Sequence, residues 1–214
     1  MRRLTQTEIA AYKARLSRPI TVKEAKAISS EVHAIAELYT VSQGRLDFWR
    51  ELFVGISCAD LMHASHIRLG EEPPDIVLTV NGADLLIEIT NAIPTGRKLG
   101  AEYDDYAASM VETGSVKFAD ENALEDHDSV VPDVAAAIDK KVSKSYRARY
   151  VLVVDILHKI IGPLSWSMER AMVRSAVPAL TSFEEVWIRK AASILRVSRQ
   201  GVSRVSAPWP SDED

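Results

Sequence analysis

The chain has 214 residues, of which 47% are hydrophobic and 26% charged, with a formal net charge of −4 and a single cysteine. That composition points to a globular protein with room for one sizeable domain, with or without an appendage, and excludes fibrous and low-complexity classes. No apolar run approaches the roughly 20 residues needed to span a bilayer, so no membrane partner is expected. The start, Met1-Arg2-Arg3-Leu4-Thr5-Gln6, lacks the apolar stretch of a signal peptide, and the lone Cys58 excludes an intramolecular disulfide or a cysteine-built zinc site; a cytoplasmic location is the expectation.

Charge is unevenly placed. Leu99 to Asp133 holds ten Asp/Glu and one Lys, whereas Val134 to Arg204 holds thirteen Lys/Arg and five Asp/Glu. The C-terminal third is therefore a candidate for presenting a basic face to phosphates, the plain alternative being solvated helix faces.

In chain order, residues 5–16 read as a short amphipathic helix. Thr21, with Glu24 three positions on, opens a second helix through about Leu38, its apolar face carrying Ala25, Ile28, Val32, Ile35, Ala36 and Tyr39. A third helix runs from about Leu46 to His63, with Phe48, Leu52, Ile56, Ala59 and Met62 inward. Residues 75–80 and 85–90 read as strands around Asn81-Gly82, a strong two-residue hairpin signal. Residues 99–112 look helical, and 113–132, acidic and without a clear period, read as a loop or weakly ordered insert. Pro132-Asp133 then opens a helix through about Arg147. Tyr150–Ile156 is a β-branched, nearly continuous apolar run of the buried-strand type. A helix over about 165–176 and two strands, 185–189 and 193–197, complete the pattern, with a frayed tail at 207–214. The expected fold is α/β, a mixed central sheet flanked by helices. Residues 1–45 would form an N-terminal helical segment packed on a core of 46–206.

The pair that carries chemistry is Asp75 and Glu88. With Asn81-Gly82 as the turn, Ile76 faces Ile87 and Asp75 faces Glu88; with a four-residue turn, Asp75 faces Thr90. Side chains alternate with period two, so both acids share a sheet face in either register. Like charges opposite one another are unfavourable, and a hard divalent cation such as Mg²⁺ or Mn²⁺ would remove that cost. The plain alternatives are a turn-entry Asp after Pro73-Pro74 and an exposed strand acid. The second suits Glu88 poorly, because it lies in the apolar run Leu85-Leu86-Ile87-Glu88-Ile89.

Pro74-Asp75 followed by Glu88-Ile89-Thr90 on the next strand resembles the core of the PD-(D/E)XK nuclease superfamily, as does the order helix, hairpin, helix, buried strand. The resemblance covers roughly residues 46–156. It implies a restriction-endonuclease-like fold, a metal held by Asp75 and Glu88, hydrolysis of phosphodiester bonds, a nucleic-acid substrate, DNA above all, and a homodimer. The apolar and aromatic residues Trp166, Trp187 and Ile188 support the dimer expectation. The chain departs at the motif lysine, where Thr90 stands.

Some members of that superfamily take the lysine from a neighbouring helix, and residues 133–147 offer Lys140, Lys141 and Lys144. On a wheel with Ile138 at zero, Val134, Val142 and Ser145 fall within about 40°, Lys141 at about −60°, Lys144 at about −120° and Lys140 on the far side. Lys141 is the first candidate for the catalytic ammonium and Lys144 the second. Glu31, on an N-terminal helix beside Ile28 and Val32, is a further candidate metal ligand, ahead of Glu37 and Glu51. A catalytically inactive relative that binds nucleic acid or protein is the alternative, since the motif lysine is missing. His63 and His66 read as a pair near a helix C-terminus and not as zinc ligands; Cys58 reads as a core thiol, and Arg97 and Lys98 as phosphate contacts or a solvated loop.

Overall fold

The computed structural model describes every residue except 41–42, 44–45, 72, 116–122, 145, 147–149, 159–163, 192 and 207–214. The tail, Trp209, Ser145 and the proposed helix end at Arg147 thus lie outside the described residues. Among those described are eight strands and six α-helices, with antiparallel and parallel ladders both present, so the fold is mixed α/β. None of these helices is long and apolar enough to cross a membrane. Two compact units alternate along the chain: residues 1–71, 76–84 and 96–121, then residues 72–75, 85–95 and 122–214.

The first unit opens with α1 (Gln6–Leu16). Thr5 Oγ1 accepts from the Glu8 amide at 3.2 Å and Glu8 Oε2 accepts from the Thr5 amide at 2.8 Å, a complete capping box. Strand β1 (Ile20–Thr21) leads into α2 (Val22–Ala36), where Thr21 accepts from the Glu24 amide as the N-cap. Ala25, Ile28, Val32 and Ala36 form its buried stripe. Helix α3 (Asp47–Leu61) buries Phe48, Leu52, Val54, Gly55, Cys58 and Ala59. Ile56 and Met62, expected inward, are only half-buried. His63 adopts a left-handed conformation (φ 51°) just past the helix, and His66 begins β2 (His66–Leu69). The two histidines therefore do not share a helix. β2 escaped the sequence reading because only Ile67 of its four residues is fully buried, so no alternation was visible.

β2 pairs antiparallel with β1 and with β3 (Ile76–Val80). Asn81 (φ 52°) and Gly82 (φ 80°) supply the two left-handed residues of the expected tight turn into β4 (Ala83–Ala92). Helix α4 (Leu99–Thr113) closes the unit and ends on Gly114 in the left-handed region.

The second unit holds the rest of β4, then α5 (Ala123–Val142), β5 (Val151–Ile156), α6 (Trp166–Ala176), β6 (Glu185–Lys190), β7 (Ser193–Ser198) and β8 (Gly201–Ser206). β4, β5 and β6 run parallel, and β7 and β8 continue antiparallel. Strand β8 was not foreseen; Val202 and Arg204 are exposed and give it little apolar signal.

α5 begins nine residues earlier than Pro132-Asp133 suggested, inside what read as a loop. Pro132 sits within the helix. Its missing N–H and ring clash cost about 3 kcal/mol. Burial of Val130, Val134 and Ile138 on one stripe, at about 1.5–3 kcal/mol each, outweighs that cost. The stripe packs with Leu152, Val154 and Ile156 of β5, Met168, Met172 and Ala176 of α6, and Phe183, Val186 and Ile188. Trp187 and Ile188 are thus core residues, and of the three side chains suggested for a dimer surface only Trp166 is exposed.

Gly55 marks a close approach in the first unit. A Cβ there would meet Ile67 Cδ1 at 3.0 Å and Ile76 Cγ1 and Cγ2 at 3.1 Å. Gly55→Val should lower stability by about 1–3 kcal/mol through overpacking against two strands. Urea unfolding with an unchanged midpoint would show that the gap can absorb the side chain.

Candidate active site

β4 carries the site. Its parallel register with β5 sets Glu88 beside Leu152 and Thr90 beside Val154. Side chains paired in a ladder point to one face, so Glu88 and Thr90 share the face of Leu152, Val154 and Ile156, the face packed by α5 and α6. Glu88 is only 4% exposed. A bare carboxylate in that setting costs several kcal/mol, so it must be paired.

α5 delivers the pair. Val130, Val134, Ala137 and Ile138 form a helical stripe, and Lys141, three residues beyond Ile138, extends it. Lys141 Nζ lies 2.5 Å from Glu88 Oε1, with the two side chains 12% and 5% exposed. Lys140 and Lys144 are both exposed. α5 ends at Val142, so Lys144, expected on the helix, lies beyond it; of the three candidate lysines, Lys141 is the one that the structure brings to Glu88.

Asp75 precedes β3 and joins β4 from the other side. Its amide donates to the Ile87 carbonyl at 3.0 Å. Its Oδ2 accepts from the Ile89 amide at 2.6 Å, so the side chain stands in for a strand carbonyl and fixes the carboxylate beside residues 87–89.

Tyr146 is the member that sequence reasoning missed. Its hydroxyl donates to Glu88 Oε1 at 3.1 Å. Burial pushes that hydroxyl well above the usual phenol range, and the charges of Glu88 and then Asp75 push it the same way. It is therefore a protonated donor at neutral pH that senses both carboxylates. A lone tyrosine in the segment after α5 carries no periodic signal that could have announced it.

The second oxygen, Glu88 Oε2, is buried and accepts no hydrogen bond from any described residue. Glu31 lies in the first unit, where Tyr12 OH donates to its Oε1 at 2.9 Å and Arg15 approaches its Oε2 at 3.5 Å. Arg97 is held by a bidentate pair with Glu102, at 2.8 and 2.9 Å. Among the described residues no cluster of three or more His, Cys, Asp or Glu could hold a metal.

Three further polar contacts belong to this unit. Asp133 of α5 accepts from Thr95 Oγ1 at 3.1 Å and lies 3.3 Å from His158 Nε2. Across β5 and β6, Arg189 pairs with Asp155 at 2.5 Å; burial pushes the Asp155 carboxyl up, and Arg189 opposes that. By alternation, that pair occupies the sheet face opposite Glu88.

Comparison with family models, with curated proteins and with solved structures finds no match.

Removing one partner of a buried ion pair leaves the other charge stranded, at about 3–5 kcal/mol. Lys141→Met should show a loss of that size in urea unfolding. Glu88→Gln in the Lys141→Met background should restore most of it. Strictly additive losses in this double-mutant cycle would show that the two groups are not coupled.

Proposed function

We propose that the second unit is the catalytic core of a restriction-endonuclease-like, divalent-metal-dependent nuclease that hydrolyses phosphodiester bonds, with DNA as its substrate. One observation carries this reading: the Lys141 ammonium rests on Glu88 Oε1 while Glu88 Oε2 is buried and accepts no hydrogen bond from a described residue, with the Asp75 carboxylate held on the adjoining Ile89 amide. The donor set fits Mg²⁺ or Mn²⁺, which commonly take one or two carboxylates and complete their shell with water and phosphate oxygens. Glu88 Oε2 and Asp75 would hold the ion. When bound, such an ion supplies Lewis acidity toward water and a phosphoryl oxygen.

The chain's own groups account for the rest. Lys141 brings a positive charge beside the reacting centre, where it orients water and offsets charge that develops on the phosphate. Asp75, tethered to the Ile89 amide, keeps its carboxylate beside β4. The fit of Thr90 to this scheme is that the ammonium comes from α5 in place of β4.

The same ion pair favours a second reading. A lysine this close to Glu88 neutralises it, and the described residues offer no third acid ligand; an inactive relative that binds nucleic acid or a protein would keep such a pair for structure alone.

Plasmid cleavage separates the two. Wild type with Mg²⁺ or Mn²⁺ should nick DNA, and Glu88→Ala should not. Lys141→Ala, assayed where its melt shows it folded, should lose at least about 100-fold in the chemical step, the scale expected for one stabilising group. Lys140→Ala should cleave like wild type. DNA retardation without cleavage under every divalent metal would favour the binding module, and full activity in Lys141→Ala would remove that lysine from the mechanism.

A further inference from the structure

Glu88 receives both of its described donors on one oxygen. Lys141 Nζ and Tyr146 OH converge on Oε1, at 2.5 and 3.1 Å, and Oε2 is buried without a hydrogen bond from a described residue. This asymmetry has a physical consequence. A carboxylate held by one flexible ammonium can turn about its last torsion, and a lysine on a four-carbon stem can follow either oxygen. A second donor on the same oxygen, from a rigid side chain, removes that freedom.

Tyr146 is built to be that donor. Its ring packs edge-on against Tyr150 at 5.3 Å and 63°, and against Phe183 at 5.2 Å and 55°. Tyr150 and Phe183 are themselves buried. A tyrosine has only two torsions to hold, and these two ring contacts restrict them, so its hydroxyl is less free than a lysine ammonium to leave Oε1.

We propose that Tyr146 is a positioning residue: with Lys141 it commits one oxygen of Glu88 and leaves the other turned to a divalent cation. The proposal rests on the metal-dependent reading above and adds to it a residue outside the resembled motif. A purely structural Tyr146 would satisfy a buried carboxylate and do nothing to metal affinity.

Calorimetric titration of Mn²⁺ into the full chain, without substrate, tests it. Wild type should bind Mn²⁺, and Glu88→Ala should abolish that binding. Tyr146→Phe keeps the ring and removes only the donor. It should bind about 10–100-fold more weakly, the range usual for a group that orients a metal ligand, with a melting temperature close to wild type. 3-Fluorotyrosine at position 146, which keeps the donor, should restore wild-type affinity. Should Tyr146→Phe fail to fold, 4-fluorophenylalanine, which fills the hydroxyl's volume without an O–H, takes its place under the same criteria. Mn²⁺ affinity unchanged in the donor-free variant, with Glu88→Ala still abolishing binding, overturns the role of Tyr146 and leaves the metal reading standing. No Mn²⁺ binding by wild type, or binding that Glu88→Ala does not alter, overturns both.

Discussion

A carboxylate on the apolar face of a sheet is the constraint around which the second unit is organised. Glu88 shares its face with Leu152 and Val154 and is 4% exposed. An ionised group in such a place costs several kcal/mol before pairing, a large share of the roughly 5–15 kcal/mol by which a domain is stable. The chain answers with a helix whose buried stripe leads to a lysine. Val130, Val134, Ala137 and Ile138 dock α5 on the sheet, and the next position along the stripe is Lys141. The place of the ammonium is thus a consequence of helix packing. The contacts of Asp133 with Thr95 and His158, more than two turns earlier, tie the same helix to the segments that follow β4 and β5.

That dependence couples the core to the Glu88–Lys141 pair. An apolar helix face tolerates swaps of similar volume, but a change that rotates or lifts α5 moves Lys141 with it. The Arg189–Asp155 pair on the other face of the same strands stiffens β5 and β6 by a different route. Both ion pairs are buried. Neither adds much net stability over a well-packed apolar pair, because desolvation offsets the attraction. What they supply is a fixed geometry, since each ties two elements together at one point.

Much of this was legible in the residues. Asn81-Gly82 announced its turn because two left-handed residues in succession suit few other side chains. Thr5 and Thr21 announced helix starts because their hydroxyls accept from amides that have no other partner. Glu88 stood out as an acid inside an apolar run, and the helical wheel set Lys141 nearest the buried face. The missed features share a cause: they depend on tertiary partners more than on a pattern of their own. β2 and β8 have little alternation of their own and exist through their neighbours. The first turns of α5 were hidden by Pro132, whose local cost is real and is overridden by packing. Tyr146 has no local signature at all; its meaning comes from Glu88, Tyr150 and Phe183.

Thr90 and Lys141 are best understood together. Thr90 is 9% exposed, two residues beyond Glu88 on the same face of β4 and beside Val154. A lysine there would bring a second ammonium toward a carboxylate that Lys141 already neutralises. The two cations would then repel each other in a poorly solvated place, which is costly. The small hydroxyl at position 90 avoids that conflict and leaves Glu88 to the helix lysine and the tyrosine. Either change alone would be unfavourable: a lysine at 90 with Lys141 in place crowds the site with positive charge, and loss of Lys141 with Thr90 in place strands Glu88. Positions 90 and 141 are therefore coupled through Glu88, although 51 residues separate them in the chain.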